Sequence, residues 1–500
     1  MLADPAGGNS LARVLMIKPK HPHFKGLNKT ATPPLGLMSL AAYARERRPG
    51  KDVFCIADER VTPRTMDDWT DLVREFHPDL IAVSAMTVEG RRLEKIAARF
   101  KADFPEIPII VGGPLASASG ARILESGNID YILRGEGEVG FIDFLDAKEQ
   151  GDRFPERPIS GLAFRNENQT LVENPMNLHV PDMDEIPIPA WDLIDLSDYQ
   201  SLSHFTPIDS SSRYAVLFTS RGCPYGCIYC HRIFSKKFRP MNAYRVVDEM
   251  ECLVKKYQVE TFEIVDDIFN LDYGRAMEFC REIKKRGLKV RISFPNGVRG
   301  DLLDPDLIRE LASVGVYEMA FAVETASPRV QKLIRKNIKL DKIRENIAIA
   351  AEAGIFTWGF FMLGFPSETR KELMQTIKFA CTSRLHGAYF FTVVPFEGTD
   401  LAAMAAAQHG LQPKDLWGDY HHIHKSIAGV SARELSLFQA LAFSLFFFDP
   451  RRAYRILRDY PLDRMQAVRK FLALSYFLFI EKPLGLIKDS FHSPARSARD

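Results

Sequence analysis

Arg221-Gly222-Cys223-Pro224-Tyr225-Gly226-Cys227-Ile228-Tyr229-Cys230-His231 is the stretch from which the rest of the chain can be read. Its three cysteines have C-x3-C-x2-C spacing and directly follow the apolar run Tyr214–Thr219. Thiolates gathered in one tight loop bind soft metal, and iron–sulfur clusters are a usual occupant. A cubane cluster normally takes four cysteine ligands. This loop supplies three, and no fourth cysteine lies nearby in sequence. One iron would then be open to a small molecule, and an open coordination position marks catalysis where a closed shell marks structure. The plainer alternatives are a structural zinc loop or cysteines brought together by accident. Zinc loops usually pair two C-x2-C arms, and no second arm is present.

Composition bounds the setting. The 500 residues are enough for two or three domains. A chain that is 46% hydrophobic and 26% charged is ordinary for a soluble globular protein. The net charge of +2 gives no argument for a nucleic-acid partner. Seven cysteines are too sparse for a disulfide framework. Cys55, Cys252, Cys280 and Cys381 fall in apolar or helical patterns and read as buried thiols. Free thiols and an oxygen-sensitive cluster suit a reducing cytosol, so a cytoplasmic location is expected. Met1–Leu11 has no apolar core of signal-peptide length. The longest strongly apolar run, Leu435–Phe448, falls short of the roughly 20 apolar residues that span a bilayer.

Upstream of the cysteines, residues 12–149 alternate short apolar runs with helical patterns. Strands are expected at Arg13–Lys18, Asp52–Ala57, Leu80–Ala85, Ile107–Gly112 and Tyr131–Arg134, with helices near 35–47, 66–76, 88–103, 116–126 and 138–149. That alternation predicts an α/β domain with a doubly wound parallel sheet, Rossmann-like in layout. Such sheets bind ligands outside the carboxyl ends of their strands. Residues 150–213 read as a linker. Pro181-Asp-Met-Asp-Glu-Ile-Pro-Ile-Pro-Ala-Trp191 cannot continue a helix or a central strand. A short strand pair is expected near Ile159–Ala163 and Leu171–Asn174. Residues 214–400 alternate again, with six strands at Tyr214–Thr219, Thr261–Val265, Lys289–Phe294, Tyr317–Val323, Phe356–Leu363 and Ala388–Pro395. Residues 401–500 read as a helical region with apolar runs at Leu435–Phe448 and Phe471–Ile480 and an arginine-rich stretch between them.

C-x3-C-x-aromatic-C after a strand resembles the radical S-adenosylmethionine (SAM) signature. The resemblance implies a partial (β/α)6 barrel over 214–400 and a 4Fe–4S cluster held by Cys223, Cys227 and Cys230. It also implies that the amino and carboxylate groups of SAM chelate the open iron. An electron from the cluster then cleaves SAM to methionine and a 5′-deoxyadenosyl radical. Tyr229 fills the aromatic slot that lies against adenine in this family. Working residues of such barrels sit where strands end, and matching segments fall there. Asp266-Asp267 stands where the family takes the SAM amino group, although either Asp also suits a helix N-cap. Asn296-Gly-Val-Arg299 matches a segment near the SAM carboxylate or substrate; a surface ion pair is the plain reading of Arg299. Glu324 occupies the position that accepts ribose hydroxyls. Gly364, Phe365 and Pro366 match the turn that lines the adenine side, followed by Glu368 and Thr369, which also suit a cap. Pro395-Phe-Glu-Gly-Thr399 after the sixth strand matches as well.

The loops of the N-terminal part are similar to those of the cobalamin-binding domain fused to many radical SAM enzymes. They are Lys18–Pro34, Ser84-Ala-Met-Thr87, Gly112-Gly-Pro114 and Arg134-Gly-Glu-Gly-Glu138. The resemblance makes Ser84, Thr87, Gly112, Gly113 and Glu136 candidate cobalamin contacts; the plain alternative is a flavodoxin-like module without a corrin. Many such domains carry D-x-H-x-x-G, whose His ligates cobalt. Here the loop reads His21-Pro-His23-Phe-Lys-Gly26. The carboxylate that would orient the imidazole is missing, so cobalamin is expected base-off, with His23 an ordinary loop histidine.

Together the resemblances imply a cobalamin-dependent radical SAM enzyme. The expected reaction is methylation of an unactivated carbon or phosphorus of a small-molecule or lipid-like substrate, with flavodoxin or ferredoxin supplying electrons. The alternative within the same architecture is an anaerobic oxidative cyclase acting on a tetrapyrrole or similar precursor. A non-enzymatic electron carrier or cobalamin sensor is the remaining class; carriers bury closed clusters, and an open corner argues against them. The C-terminal helices read as core or lid, or as a basic amphipathic patch lying on a membrane surface.

Overall fold

The computed structural model describes residues 12–21, 32–410 (except 154, 178, 201, 203–207, 209–212 and 232), 426–462, and 465, 466, 468, 469 and 472. The chain divides into two compact units. The first comprises 1–269, 281–288 and 395–419, and the second 270–280, 289–394 and 420–500.

The first unit begins with β1 (Ala12–Lys18), α1 (Leu35–Arg47), β2 (Asp52–Asp58), α2 (Met66–Phe76), β3 (Leu80–Ser84), α3 (Gly90–Asp103), β4 (Ile109–Gly112), α4 (Gly113–Ser119), β5 (Tyr131–Leu133) and α5 (Gly137–Glu149). These strands pair parallel in the order β2-β1-β3-β4-β5. Alternation along β1 shows why the sheet is covered on both faces. Leu15 and Ile17 join a core with Trp69, Phe100 and Leu115. Val14 and Met16 join the opposite core with Leu37, Phe141 and Phe144. The expected strand pair of the linker is present as β6 (Leu162–Arg165) and β7 (Leu171–Glu173). It is no separate hairpin: β6 adds antiparallel to β5, and β7 to β6, making a seven-stranded sheet. Strand order reverses between β1 and β3, the switch point where ligands of such sheets bind.

The short helix α6 (Ser197–Gln200) precedes β8 (Tyr214–Leu217), which continues into β9 (Ser220–Arg221). β10 (Arg239–Pro240) pairs antiparallel with β9, and the segment they bracket carries the three cysteines. After α7 (Ala243–Tyr257), β11 (Thr261–Ile264) pairs parallel with β8. The elements that follow are α8 (Tyr273–Lys285), β12 (Arg291–Val298), α9 (Pro305–Ser313), β13 (Val316–Glu324), α10 (Pro328–Leu333), α11 (Leu340–Glu352), β14 (Phe356–Leu363), α12 (Arg370–Thr382), β15 (Gly387–Thr392), α13 (Asp400–His409), α14 (Ala432–Phe447) and α15 (Pro450–Asp459). In the second unit β12 to β15 pair parallel in sequence order. All six strands expected for the barrel are therefore present, parallel within each unit. Helix α14 packs on β15, where Phe390 meets Phe443 and Phe446 edge-on. Phe471–Ile480 lies outside the described residues except for Leu472.

Candidate functional site

The cysteine loop is built from its base upward. β9 and β10 close it as a two-residue ribbon, Arg221 facing Arg239 and Ser220 facing Pro240. Gly222 has φ +84°, and a Cβ there would stand 2.3 Å from Lys237 O and 2.6 Å from Ser235 O. Only glycine lets the chain turn into the loop at this point. Within the loop, Cys230 N donates to Cys227 O at 3.3 Å, and Lys236 Nζ donates to Tyr225 O at 2.6 Å. Ile228 is buried, and its carbonyl accepts Leu401 N at 2.9 Å. Cys223 and Cys227 are half-buried and Cys230 is exposed; none forms a disulfide. Tyr229 is half-buried, directly before Cys230 in the chain.

Among the described residues, no three His, Cys, Asp or Glu side chains converge as they would on one metal ion. A cubane asks for a different arrangement, because each thiolate holds its own iron. Three undisulfided, partly accessible thiols within eight residues of one loop fit that group.

Asp266, expected to face a ligand, instead braces the loop. Its carboxylate is buried and accepts Thr219 N at 2.5 Å, Thr219 Oγ1 at 2.5 Å and Ser220 Oγ at 2.6 Å. Asp267 is half-buried, with Oδ1 3.4 Å from His231 Nε2 just past the third cysteine. Of the Asp pair, Asp267 is the one left beside the cysteine loop with its carboxylate not engaged by the loop's base.

Glu136, expected to contact cobalamin, also has a different partner. Its Oε2 accepts Arg221 Nη1 at 2.9 Å, and its Oε1 is ion-paired with Arg239. Arg221 Nη2 donates to Glu138 Oε1 at 2.6 Å. Burial works to raise the Glu138 pKa, but attraction and hydrogen bonding by Arg221 outweigh it and hold the carboxyl below its usual range. The guanidinium of Arg221 is conversely held charged by the two glutamates against the cost of burial.

The other expected cobalamin contacts sit together at the carboxyl ends of β3 and β4. Gly113 has φ +84°, and a Cβ there would be 2.9 Å from Ser84 Oγ and 3.1 Å from Ala85 O. Leu115 N donates to Ala85 O at 2.9 Å, so the two loops are laced through main chain. Thr87 opens a short 3₁₀ turn whose Glu89 accepts Met86 N at 2.7 Å and Lys18 Nζ at 2.5 Å. Burial lowers the Lys18 pKa, with Glu89 opposing it. Lys18 and Glu89 were not singled out in the sequence; a lysine ending β1 and a glutamate five residues past β3 are the only local signals. The rim of Ser84, Ala85, Thr87, Gly112 and Gly113 offers small side chains and accessible main chain, which suits a large flat ligand. His23 lies outside the described residues. In the same unit, Glu397 of Pro395–Thr399 accepts Ser119 Oγ at 2.7 Å and pairs with Arg122 at 2.5 Å. Gly398 comes close to Ala118, where a Cβ would stand 3.1 Å from its Cα.

In the second unit the expected residues end adjacent strands. β12 bulges against β13, with Phe294 facing Met319 and Val298 facing Phe321. The bulge exposes Asn296. Arg299 is not an open carboxylate receptor: Nε donates to Asp301 at 3.1 Å and Nη2 to Lys336 O at 3.1 Å. Glu324 ends β13 with φ +65°, a left-handed conformation uncommon for glutamate. Its buried carboxylate accepts Lys336 Nζ at 3.0 Å. Lys336 stands between Arg335 at φ 56° and Asn337 at φ 49°. Three left-handed non-glycine residues thus meet at one ion pair, and strain of this kind collects at ligand sites. Lys336 was missed in the sequence; it follows α10 in an unpatterned stretch.

Gly364 ends β14 at φ +104°, and a Cβ there would lie 2.5 Å from Leu435 Cδ2 on α14. Phe365 and Pro366 are buried, and Ser367 N and Gly429 N bond to Ile427 O and Glu368 O over the turn. Glu368 does not cap α12; Thr369 does, in a capping box with Glu372. Glu368 Oε2 accepts Gly364 N at 2.7 Å and Phe365 N at 3.0 Å, and burial pushes its pKa up to about 7.

Comparison with known proteins agrees with this geometry. Residues 217–380 match the radical SAM superfamily, and residues 29–145 match the B12 binding domain. An uncharacterized methyltransferase of Pyrococcus horikoshii is 28% identical over 469 residues, 93% of this chain and 98% of the relative. The cytidylyl-2-hydroxyethylphosphonate methyltransferase of Streptomyces wedmorensis is 26% identical over 451 residues, 81% of this chain and 83% of the relative. The anaerobic magnesium-protoporphyrin IX monomethyl ester cyclase of Rubrivivax gelatinosus is 27% identical over 372 residues, 74% of this chain and 65% of the relative. The fold matches the solved cobalamin-dependent SAM radical enzyme OxsB with aqua-cobalamin and SAM bound. The TM-score is 0.70 at 16% identity, covering 94% of this chain and 76% of that one. The chain thus carries a radical SAM domain holding the three-cysteine loop, preceded by a B12-binding domain.

Proposed function

We propose that the protein methylates an unactivated carbon or phosphorus centre of a small-molecule or lipid-like substrate. One observation carries the reading. The cysteine loop and the strand ends of the B12-binding sheet belong to one compact unit, and Arg221 bonds directly to the loop after β5. The arrangement supports a substrate meeting both cofactors. Methyltransferase relatives that match over most of their length support the same reading. When bound, the cluster with SAM supplies a 5′-deoxyadenosyl radical, and cobalamin supplies a transferable methyl group.

On this reading Cys223, Cys227 and Cys230 hold the cluster. Tyr229, Asp267, Asn296 and Glu324 contact SAM, with Lys336 setting the Glu324 carboxylate. Asp266 and Arg299 position their loops. Ser84, Thr87, Gly112 and Gly113 hold cobalamin within residues 1–149, joined by the 150–213 linker to the 214–400 barrel. Reduction requires an external donor of the flavodoxin or ferredoxin class. Among the described residues no helix is long and apolar enough to cross a membrane. Leu437, Leu441 and Leu445 lie exposed at four-residue spacing on α14, which supports a lipid-like substrate or a peripheral membrane contact by the 401–500 region.

The test needs no substrate. Reduced cobalamin and SAM with a deuterated methyl group are mixed anaerobically with the protein. Label in the cobalamin fraction, with an equal amount of S-adenosylhomocysteine, is expected. The oxidative cyclase reading takes over if 5′-deoxyadenosine forms while neither S-adenosylhomocysteine nor labelled cobalamin appears.

A further inference from the structure

The cluster-loop and cobalamin-loop residues Arg221, Arg239, Glu136 and Glu138 form a closed set. Two arginines from the ribbon under the cysteines meet two glutamates from the turn after β5. Arg221 bridges both glutamates, and Arg239 pairs with Glu136 while donating to Val180 O at 2.7 Å. Ser39 Oγ on α1 donates to Glu138 at 3.3 Å. The least covered of the four side chains, Arg221, is 11% exposed. The charges balance, so removing any one member leaves the set with a net buried charge. Arg221 is two residues from Cys223, with a glycine that tolerates no side chain between them. Movement of the 135–138 turn therefore moves the start of the cysteine loop.

The geometry points to Arg221 and Glu138 as positioning residues that couple the two cofactor sites, so that loading one alters affinity at the other. The inference rests on the proposed function, because it takes cobalamin to bind at the 84–87 and 112–114 loops beside that turn and SAM to bind at the cluster. Coupling between sites is reciprocal and commonly amounts to roughly 5–150-fold in affinity.

The experiment is a SAM titration of the reduced, reconstituted protein, followed by the cluster's EPR signal with and without bound cobalamin. Cobalamin uptake is read separately from absorbance. Wild type is expected to bind SAM on the order of tenfold more tightly with cobalamin present. In Glu138→Gln the factor should fall below about twofold, with the cluster retained and cobalamin still bound. Arg221→Lys keeps one charge and should retain part of the coupling. If Glu138→Gln does not fold, Ser39→Ala replaces it, since it loosens the same carboxylate by one neutral bond and should lower the factor part of the way. Equal SAM affinity with and without cobalamin in wild type overturns the inference, as does an unchanged factor in the folded variant. A cluster signal that does not respond to SAM at all would instead count against the proposed function.

Discussion

Asp266 and Glu324 both stand at the ends of parallel strands, and both match family positions for SAM. Their surroundings differ. Asp266 takes three donors from Thr219 and Ser220, all within 2.6 Å, in ordinary strand-end geometry. Glu324 sits in a left-handed backbone, with Lys336 Nζ donating to its carboxylate at 3.0 Å. A carboxylate saturated by its own scaffold organises a loop. One held in a costly conformation with hydrogen-bonding capacity in reserve is placed for a ligand. On the proposed reading, the contrast separates a carboxylate that shapes the cysteine loop from one kept for SAM.

The largest expected effect tests the loop itself. Cys227→Ala should lose the iron–sulfur absorbance and SAM cleavage together. Cys280→Ala, at a buried thiol, and Cys252→Ala should retain both. A site emptied by Cys252→Ala would mean that the three-cysteine loop is not the whole ligand set.

Asp266→Ala comes next. It leaves a buried N–H and two hydroxyls without their acceptor, a loss of about 2–4 kcal/mol. Thermal melting of the protein before reconstitution should shift down sharply, and cluster content should fall with it. A variant that melts like wild type would abolish the distinction between the two carboxylates.

Glu324→Gln should behave in the opposite way. Gln keeps an acceptor for Lys336 but removes the charge, so some stability is lost, while cobalamin uptake is expected to change little. Formation of 5′-deoxyadenosine should slow by about 10–100-fold, from the loss of about 1–3 kcal/mol of hydrogen bonding to ribose. Equal loss of stability in the Asp266 and Glu324 variants would make both merely structural.

The smallest effect concerns pH. The Glu368 pKa is raised by burial to about 7 in the folded chain, from about 4.5 for an exposed glutamate. The folded state therefore binds more protons than the unfolded state between those values. This contribution to stability is fully present below about pH 4.5 and is lost as pH rises through 7, at about 1 kcal/mol per pH unit. Glu368→Gln keeps an acceptor for Gly364 N and Phe365 N but has no proton to lose. Denaturant unfolding should show the variant gaining on wild type from pH 6 to pH 8. A constant difference across that range would show that Glu368 is ionised throughout.

Cysteine spacing, the strand–helix alternation and the Gly-containing turns were legible in the sequence because each is a local property. Three thiols within eight residues lie close together whatever the rest of the chain does. A two-residue or 3.6-residue period shows which face an element buries. Helices α1 and α2 and strand β14 accordingly fall on the residues their patterns indicate. Partners were a different matter. Thr219 and Asp266 are 47 residues apart, Arg221 and Glu138 83 apart, and Arg239 and Glu136 103 apart. No local pattern encodes which carboxylate meets which cation across such spans. Asp266, Glu136 and Arg299 thus read as ligand contacts, while Lys18 and Glu138 read only as ends of loops and Lys336 as nothing in particular. Likewise, β6 and β7 read as a hairpin in a linker, and only the unpaired edge of β5 made them part of the sheet. The sequence determined where reactive groups stand along the chain. Tertiary structure decided which of them are already satisfied, because a buried charge must find its partner from whatever the fold brings within hydrogen-bonding distance.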